Sequence, residues 1–308
     1  MTHLRNETEA TGPWVASDRN LLYHTRSRAL GLIAVARGMM RKPITLVAFV
    51  VLSTLVLVSV FAPWVSPHDR LKTDYRNIDA GPSLKHPMGQ DEVGRDLLSR
   101  LMYAGRVSLA VAAGAEAIAL IIGVPIGLAA GFFRGVIDAV FMRIIDGILA
   151  FPSVLLALVI AAIFSARFFP VMVAIGITIV PAVARIVRAG TLREKEREYV
   201  LASHSMGASP ARTALRHILP NTFPELTIQI TLGLAFAILV EATLSFLGLG
   251  VQPPNSSWGT QLLFGYREIW LTPWPVTFSG LFIFSAVWAF NVIGDALRDT
   301  LDPRLRGT

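Results

Sequence analysis

Two acidic side chains interrupt otherwise apolar runs: Glu116 within Val107–Phe133 and Glu241 within Leu226–Leu247. An ionisable group at membrane depth is costly, so it faces a bundle interior or a water-filled cavity and marks a relay, a gate or a point of helix attachment. The plain alternative is a position near a span end, or neutralisation by a neutral partner or by protonation. A structural or gating role is favoured over contact with a solute. Thr227, Gln229 and Thr231 stand at the start of one apolar run, and Ser279 and Ser285 lie in another. Sparse hydroxyls and amides of this kind suit a pathway that must not hold its cargo tightly, and equally suit hydrogen bonds between helices. Asn291, Asp295 and Asp299 recur every four residues, with Arg298 in reach of Asp295 and Asp302, a pattern that reads first as a solvated helix end. His204 and His217 are too separated to hold a metal without further ligands. The chain has no cysteine, which excludes disulfides, thiolate metal sites and cysteine nucleophiles. None of its lysines (Lys42, Lys72, Lys85, Lys195) follows a glycine, so the backbone cradle for nucleotide phosphates is missing. No Ser/His, metal-ligand or paired-carboxylate arrangement has the spacing an intramembrane enzyme needs.

The elements that carry these residues are membrane spans. The 308 residues are 53% hydrophobic and 16% charged, with mean hydropathy +0.56. Soluble domains carry about 25% charged residues. A helix needs about 20 mostly apolar residues to cross the hydrocarbon layer. Six segments qualify: Pro43–Pro67, Val107–Phe133, Gly147–Ala166, Phe168–Ala184, Leu226–Leu247, and a sixth within Ile269–Gly294, placed at Val276–Val292. The expected fold is therefore all-α and integral to the membrane. Pro125, Pro152 and Pro181 predict kinks that neighbouring helices must satisfy. The runs Ala112–Ala115 and Gly127–Gly131 predict close helix approach.

The net charge of +7 does not form a nucleic-acid patch, because the basic residues flank the apolar segments. Six spans put both termini on one side. That side holds 19 of the 28 lysines and arginines, which predicts cytosolic termini. The first external loop runs against the rule with seven of the remaining nine, nearly balanced by acidic neighbours. The polar opening residues predict no cleavable signal peptide. Residues 1–17 read as disordered, and Arg28–Arg41 as an amphipathic helix in the headgroup layer, stopped by Pro43. The chain thus divides into a tail and interfacial helix (1–43), a first span with its external loop (44–103), a five-helix core (104–302) and a short tail (303–308). Trp64 and Trp258 are expected to anchor the outer interface.

The connection 185–225 is the longest cytosolic one. Its charged run Arg193–Glu198 continues a helix out of the fourth span. Tyr199, Ala202, Ser203 and Met206 then recur on one helix face, and Gly207 supplies a C-cap. Ser209 N-caps a second helix with Pro210 at its first position. Ala211, Ala214, Leu215 and Ile218 form its apolar stripe, and Pro220 closes the unit. An apolar face presented outside the membrane docks into a partner's groove or packs back on the span ends.

This loop resembles the cytoplasmic signature of ABC importer permeases: Glu-Ala-Ala, three residues, Gly, nine residues, Ile, any residue, Leu-Pro. Here it reads Leu201-Ala202-Ser203, Gly207, and His217-Ile218-Leu219-Pro220. The Gly and Leu-Pro keep their spacing, whereas Leu, Ser and His replace the Glu, the second Ala and the Ile. Three further stretches are similar to the C-type membrane subunits of dipeptide and oligopeptide importers: His86–Asp96 with Leu98-Ser99-Arg100, Glu241–Gly250 with Gln252–Pro254 and Ser257–Gly259, and Gly294–Asp299 with Leu301–Arg304. The four stretches run in the family's order, and the resemblance covers residues 28–306.

The resemblance implies a type I importer permease of the bacterial inner membrane. It implies a second homologous permease subunit, two ATP-binding subunits and an extracytoplasmic substrate-binding protein as partners. ATP and Mg would sit on the partner ATPases, with no cofactor and no catalytic residue in this chain. Tyr199, Ala202, Ser203, Met206, Gly207, Ala208 and Ser209 would form the coupling helix that sits in an ATPase groove and drives rigid-body rocking of the spans. The first external loop and Gln252–Trp258 would meet the binding protein. The implied cargo is a dipeptide or oligopeptide, with nickel chelates or glutathione as alternatives. A proton-driven secondary transporter using Glu116 and Glu241 competes, but the two halves show no matching pair of broken helices.

Overall fold

The computed structural model describes residues 42–164, 167–252 and 254–301. The stretch 1–17, the expected interfacial helix 28–41 and the tail 303–308 lie outside the described residues. The regular elements among the described residues are all helices, with one isolated bridge between Gln90 and Asp96.

Helix α1 (Pro43–Val60) starts on a proline whose missing N–H is unpaired in a first turn anyway. A single turn, α2 (Ala62–Val65), and a long loop follow, leading to α3 (Leu97–Phe133). Asp96 caps α3 by accepting from the Ser99 N–H at 2.8 Å. At 37 residues, α3 runs about 55 Å at 1.5 Å per residue, well beyond a bilayer core. Next come α4 (Gly135–Leu149), α5 (Ser153–Ile163) and α6 (Phe168–Lys195). The short helices α7 (Glu198–Ser205) and α8 (Pro210–Thr213) precede a π turn at Ala214–Ile218 and α9 (Leu219–Phe246). The chain closes with α10 (Trp258–Arg267) and α11 (Trp274–Leu301).

Among the described residues, five helices are long and apolar enough to cross a membrane: α1, α3, α6, the run Pro210–Phe246, and α11. The third expected span is not straight. Its apolar residues fall on α4 and α5, which meet at 87° and make a sixth span only if counted together. Pro152, the N-cap residue of α5, cannot continue α4. Pro220 also departs from expectation: it opens α9 instead of ending a unit, since a proline in a first turn has no N–H to lose. The sixth span begins at Trp274, and α10 precedes it outside the expected boundaries.

The core is the α3–α6 pair, with α9 across both and α11 beside α9. Gly123, Gly127 and Gly131 form a four-residue repeat on α3 that faces α6. A Cβ at Gly127 would stand 2.8 Å from Val187 Cβ, and one at Gly131 2.7 Å from Thr191 Cβ. Removing the side chain lets the two backbones touch, which is how helices associate where lipid supplies no hydrophobic drive. Charged pairs then hold α4 against α6: Arg188 grips Asp138 through two bonds of 2.6 Å, and Arg185 reaches Asp146 at 2.7 Å.

Candidate functional site

The face that carries α7 also carries the ends of α3, α6 and α11. Arg134 at the end of α3 pairs with Glu196 at 2.7 Å, and Arg193 with Glu225 at 2.7 Å. Lys42, before α1, pairs with Asp299 near the end of α11 at 2.6 Å. The start of the first span and the end of the last therefore lie together. Asp299, about half exposed, is thus ion-paired at a helix end, and Asp302 lies outside the described residues.

The connection 196–218 emerges as a braced element. Tyr199 donates its hydroxyl to Glu194 Oε2 at 2.8 Å and accepts from Asn221 Nδ2 at 3.1 Å. One phenol thus ties the end of α6, the start of α7 and the start of α9. Burial first, then the Glu194 carboxylate, pushes its pKa up to about 12, so it stays a neutral donor. The α7 face divides: Val200 and Ser203 are buried, while Leu201 is 59% and Met206 82% exposed. The expected grouping of Ser203 with Met206 is therefore split, Ser203 packing inward and Met206 standing free. Gly207 ends the helix at φ +80°, with the Ala208 N–H bonded to Ser203 O at 3.1 Å, the left-handed closure that glycine alone adopts cheaply. Ser209 then caps Pro210–Thr213 by accepting from the Arg212 N–H at 3.4 Å. In the second stripe Ala214 and Ile218 are buried, while Leu215 is exposed. Ala211, Ala214 and Leu215 line a groove of about 280 Å³ against Pro125, Leu128 and Phe132 of α3. Among the exposed residues of this element are Tyr199, Leu201, Ala202, Met206, Gly207, Ser209 and Leu215.

Glu116 and Glu241 both lie in the α3–α9 interface, one from each side. Glu116 of α3 faces Gly233 of α9, and Glu241 of α9 faces Ser108 of α3. The eight-residue spacing on both antiparallel helices is the same, so the contacts share one register about 12 Å long. Glu241 is fully buried and accepts from Ser108 Oγ at 2.9 Å and Ser245 Oγ at 2.6 Å. Ser108 accepts in turn from the Trp258 N–H at 3.1 Å, and Ser257 donates to Ser245 at 3.0 Å. Glu116 is 2% exposed, and neither carboxylate oxygen has a hydrogen-bond partner.

Trp258 is completely buried, with its Nε1–H donated to Leu101 O at 3.0 Å. It is a keystone between α3 and α10, not the interfacial anchor expected of it; an indole fits such a site because its single donor finds a backbone acceptor. Trp64, 78% exposed, has the exposure of an anchor. A mainly apolar cavity of about 380 Å³ is lined by Leu149, Ile179, Pro181, Leu232 and Phe236 together with Ser153, Thr178, Arg185 and Gln229. Thr227 and Thr231 bond carbonyls of their own helix, Phe223 O and Ile228 O at 2.8 Å. Ser279 is buried with an unpaired hydroxyl, and Ser285 is half-buried. The structure does not gather these four hydroxyls with Gln229 around that cavity.

A bundle of lipid-length helices with a braced, partly apolar corner at one end defines a class: a polytopic α-helical membrane protein. Residues 123–307 match the family described as the binding-protein-dependent transport system inner membrane component, and the chain belongs to that family. Residues 34–87 match the N-terminal transmembrane domain of oligopeptide transport permease C. Over 266 residues the chain is 39% identical to the dipeptide transport system permease protein DppC of Alkalihalophilus pseudofirmus, covering 86% of this chain and 88% of that one. It is 39% identical over 264 residues to the glutathione transport system permease protein GsiD of Escherichia coli, covering 85% and 86%. Among solved structures, the MetNI methionine ABC transporter in an inward-facing conformation aligns with a TM-score of 0.54 at 19% identity, over 65% of this chain and 96% of that one. That likeness is one of fold. The chain is thus an inner-membrane component of a binding-protein-dependent importer, with the all-α permease fold.

Proposed function

We propose that this chain is the C-type permease subunit of an ATP-driven importer for dipeptides or oligopeptides. The reading rests on the corner from Leu201 to Ser209, whose exposed Leu201 and Met206 stand on a stem braced by Tyr199. In this reading Tyr199, Ala202, Ser203, Met206, Gly207, Ala208 and Ser209 form the coupling element, and a soluble ATPase grips it. ATP and Mg belong to that partner and its twin. A second permease completes the pathway, and an extracytoplasmic binding protein delivers cargo to the loop between α1 and α3 and to the α10 end. The termini are cytosolic, on the coupling face, in keeping with the Lys42–Asp299 pair and the basic flanks. The peptide class follows from two relatives of equal identity, one a dipeptide and the other a glutathione permease; glutathione is itself a tripeptide.

The stem explains how a small push travels. A tilt imposed at Met206 reaches α6 through Tyr199–Glu194 and α9 through Asn221, because the three share hydrogen bonds and not only van der Waals contact. A proton-driven carrier is disfavoured by the serine partners of Glu241, which suit attachment more than relay.

The test uses the purified importer in proteoliposomes with its binding protein. Dipeptide uptake should require ATP and persist when the proton gradient is collapsed. A cysteine at Met206 should cross-link to the ATPase. Uptake at full rate without ATP, or no cross-link in an active assembly, would overturn the reading.

A further inference from the structure

At the face opposite the coupling corner, three side chains from distant points of the first loop converge. His68 follows the end of α2, His86 lies in the middle of the loop, and Asp96 caps α3. His86 Nδ1 is 2.9 Å from Asp96 Oδ1, and His68 Nδ1 is 3.6 Å from the same oxygen. The three ligand atoms all lie within 4.8 Å of one another. The two imidazoles lie with centroids 4.6 Å apart and planes 32° from parallel.

The hydrogen-bond arithmetic leaves one atom over. Asp96 Oδ1 takes the His86 contact, and Oδ2 takes the Ser99 N–H at 2.8 Å and the Ser99 hydroxyl at 2.6 Å. His68 Nδ1 is buried and has no hydrogen-bond partner. At 3.6 Å from Oδ1 it is beyond hydrogen-bond reach, and an unpaired buried polar atom carries a full desolvation cost. Two ligands of one ion stand at a comparable separation. Zinc sits about 2.0–2.1 Å from imidazole nitrogen and 2.0–2.2 Å from carboxylate oxygen. Tetrahedral angles then place neighbouring donors about 3.3–3.5 Å apart, between the two distances observed.

The surroundings are those of a held site. The Ser99 hydroxyl accepts from the His68 backbone N–H at 3.2 Å, Ser66 donates to His68 O at 2.6 Å, and Ser83 accepts from the His86 N–H at 3.1 Å. Ser99 fixes the Asp96 carboxylate through Oδ2, as an outer partner does in a metal site, and the other bonds anchor the backbones that carry the two imidazoles. The Asp96 carboxylate stands between the helix N-terminus, through Oδ2, and the space between the imidazoles, through Oδ1, so its charge screens a cation from the helix dipole.

We infer that His68, His86 and Asp96 bind one divalent transition-metal ion, zinc, which staples the first loop to the start of α3 and keeps a fourth coordination position open. Two imidazoles and one carboxylate suit zinc better than calcium or magnesium, which want oxygen. The site does not depend on what the importer carries.

The experiment uses tag-free full-length protein in nanodiscs, stripped with chelator and titrated with zinc by calorimetry and with cobalt by visible absorption. One equivalent should bind, with the strong visible bands of four-coordinate cobalt. His68→Ala should weaken zinc binding at least about 100-fold, and Ser99→Ala about 10-fold through the loosened Asp96 carboxylate. His217→Ala, on the other face, should change nothing. X-ray absorption of the zinc-loaded wild type should show imidazole scattering, which keeps the test valid if a variant misfolds. Binding unchanged in His68→Ala, absence of a saturable equivalent, or a zinc environment without imidazole would each overturn the inference.

Discussion

The Ser108 hydroxyl is the most informative atom to remove. It donates to Glu241 Oε2 at 2.9 Å and accepts from the Trp258 N–H at 3.1 Å, with all three residues fully buried. Ser108→Ala leaves the volume nearly unchanged but orphans one carboxylate oxygen and one backbone donor. Each orphaned buried group costs about 1–3 kcal/mol, which gives about 2–6 kcal/mol. Polar pairs between membrane helices measure far less, about 0.6 kcal/mol on average and about 1.7 at most, because the separated helices find other partners. Trp258 weakens that escape, since its N–H belongs to the first turn of α10, where the helix itself offers no carbonyl. The expected loss is therefore about 2 kcal/mol, above the ordinary membrane pair. Glu241→Gln should cost less than about 1 kcal/mol, since an amide keeps an oxygen for one serine and the other hydroxyl can turn to accept. Stability is read by reversible unfolding in mixed micelles. A Ser108→Ala loss below about 0.6 kcal/mol, or Glu241→Gln costing more than Ser108→Ala, would refute the view that this network holds α3, α9 and α10 together.

Gly127→Leu should prevent assembly of the α3–α6 pair, because its side chain meets Val187 and the Ala184 carbonyl, whereas Gly147→Ala, with open space around it, should be neutral or slightly stabilising; folded yield by size-exclusion chromatography separates them. Tyr199→Phe removes both bonds of the brace and should lower peptide uptake several-fold while leaving ATPase turnover in place, as measured in proteoliposomes. Met206→Glu puts a charge on an 82% exposed position, so the permease should fold normally yet lose ATPase binding in a pull-down. Burial, then Asp91, raises the Glu92 carboxyl, and burial, then Glu268, raises that of Asp79. A raised carboxyl pKa means that stability falls as pH climbs through the folded value. Glu92→Gln should therefore raise the melting temperature at neutral pH, with the gain fading toward about pH 4, where the unfolded group also protonates.

The spans were legible because apolar length is a strong signal, and Ser209 and Gly207 because caps have few acceptable residues. The places where the sequence misled share a cause: the deciding partner was remote. Nothing near Trp258 announces that Leu101, far along the chain, will take its indole N–H, so a belt tryptophan was the natural reading. Pro152 and Pro220 look alike in sequence, yet one separates two helices at 87° and the other opens a helix after a π turn. Ser203 and Met206 share a helix face by spacing, but only packing against the bundle decides which of them is covered. Glu241 with Ser245 four residues on was the one local hint of the buried serine network. The His68–His86–Asp96 cluster gave none, since its ligands are joined only by the path of the loop.

The π turn at Ala214–Ile218 has a mechanical meaning. From Pro210 to Phe246 the chain runs as one rod of 37 residues, about 55 Å long, with its foot in the corner that a motor would hold and its head at the Trp258 keystone. On such a rod each degree of tilt moves the far tip by about 1 Å. An extra residue wound into the shaft just above the foot is where a shaft flexes first, so its stiffness sets how much of the stroke arrives. The transmission of movement from the corner to the bundle would then be tuned within these five residues.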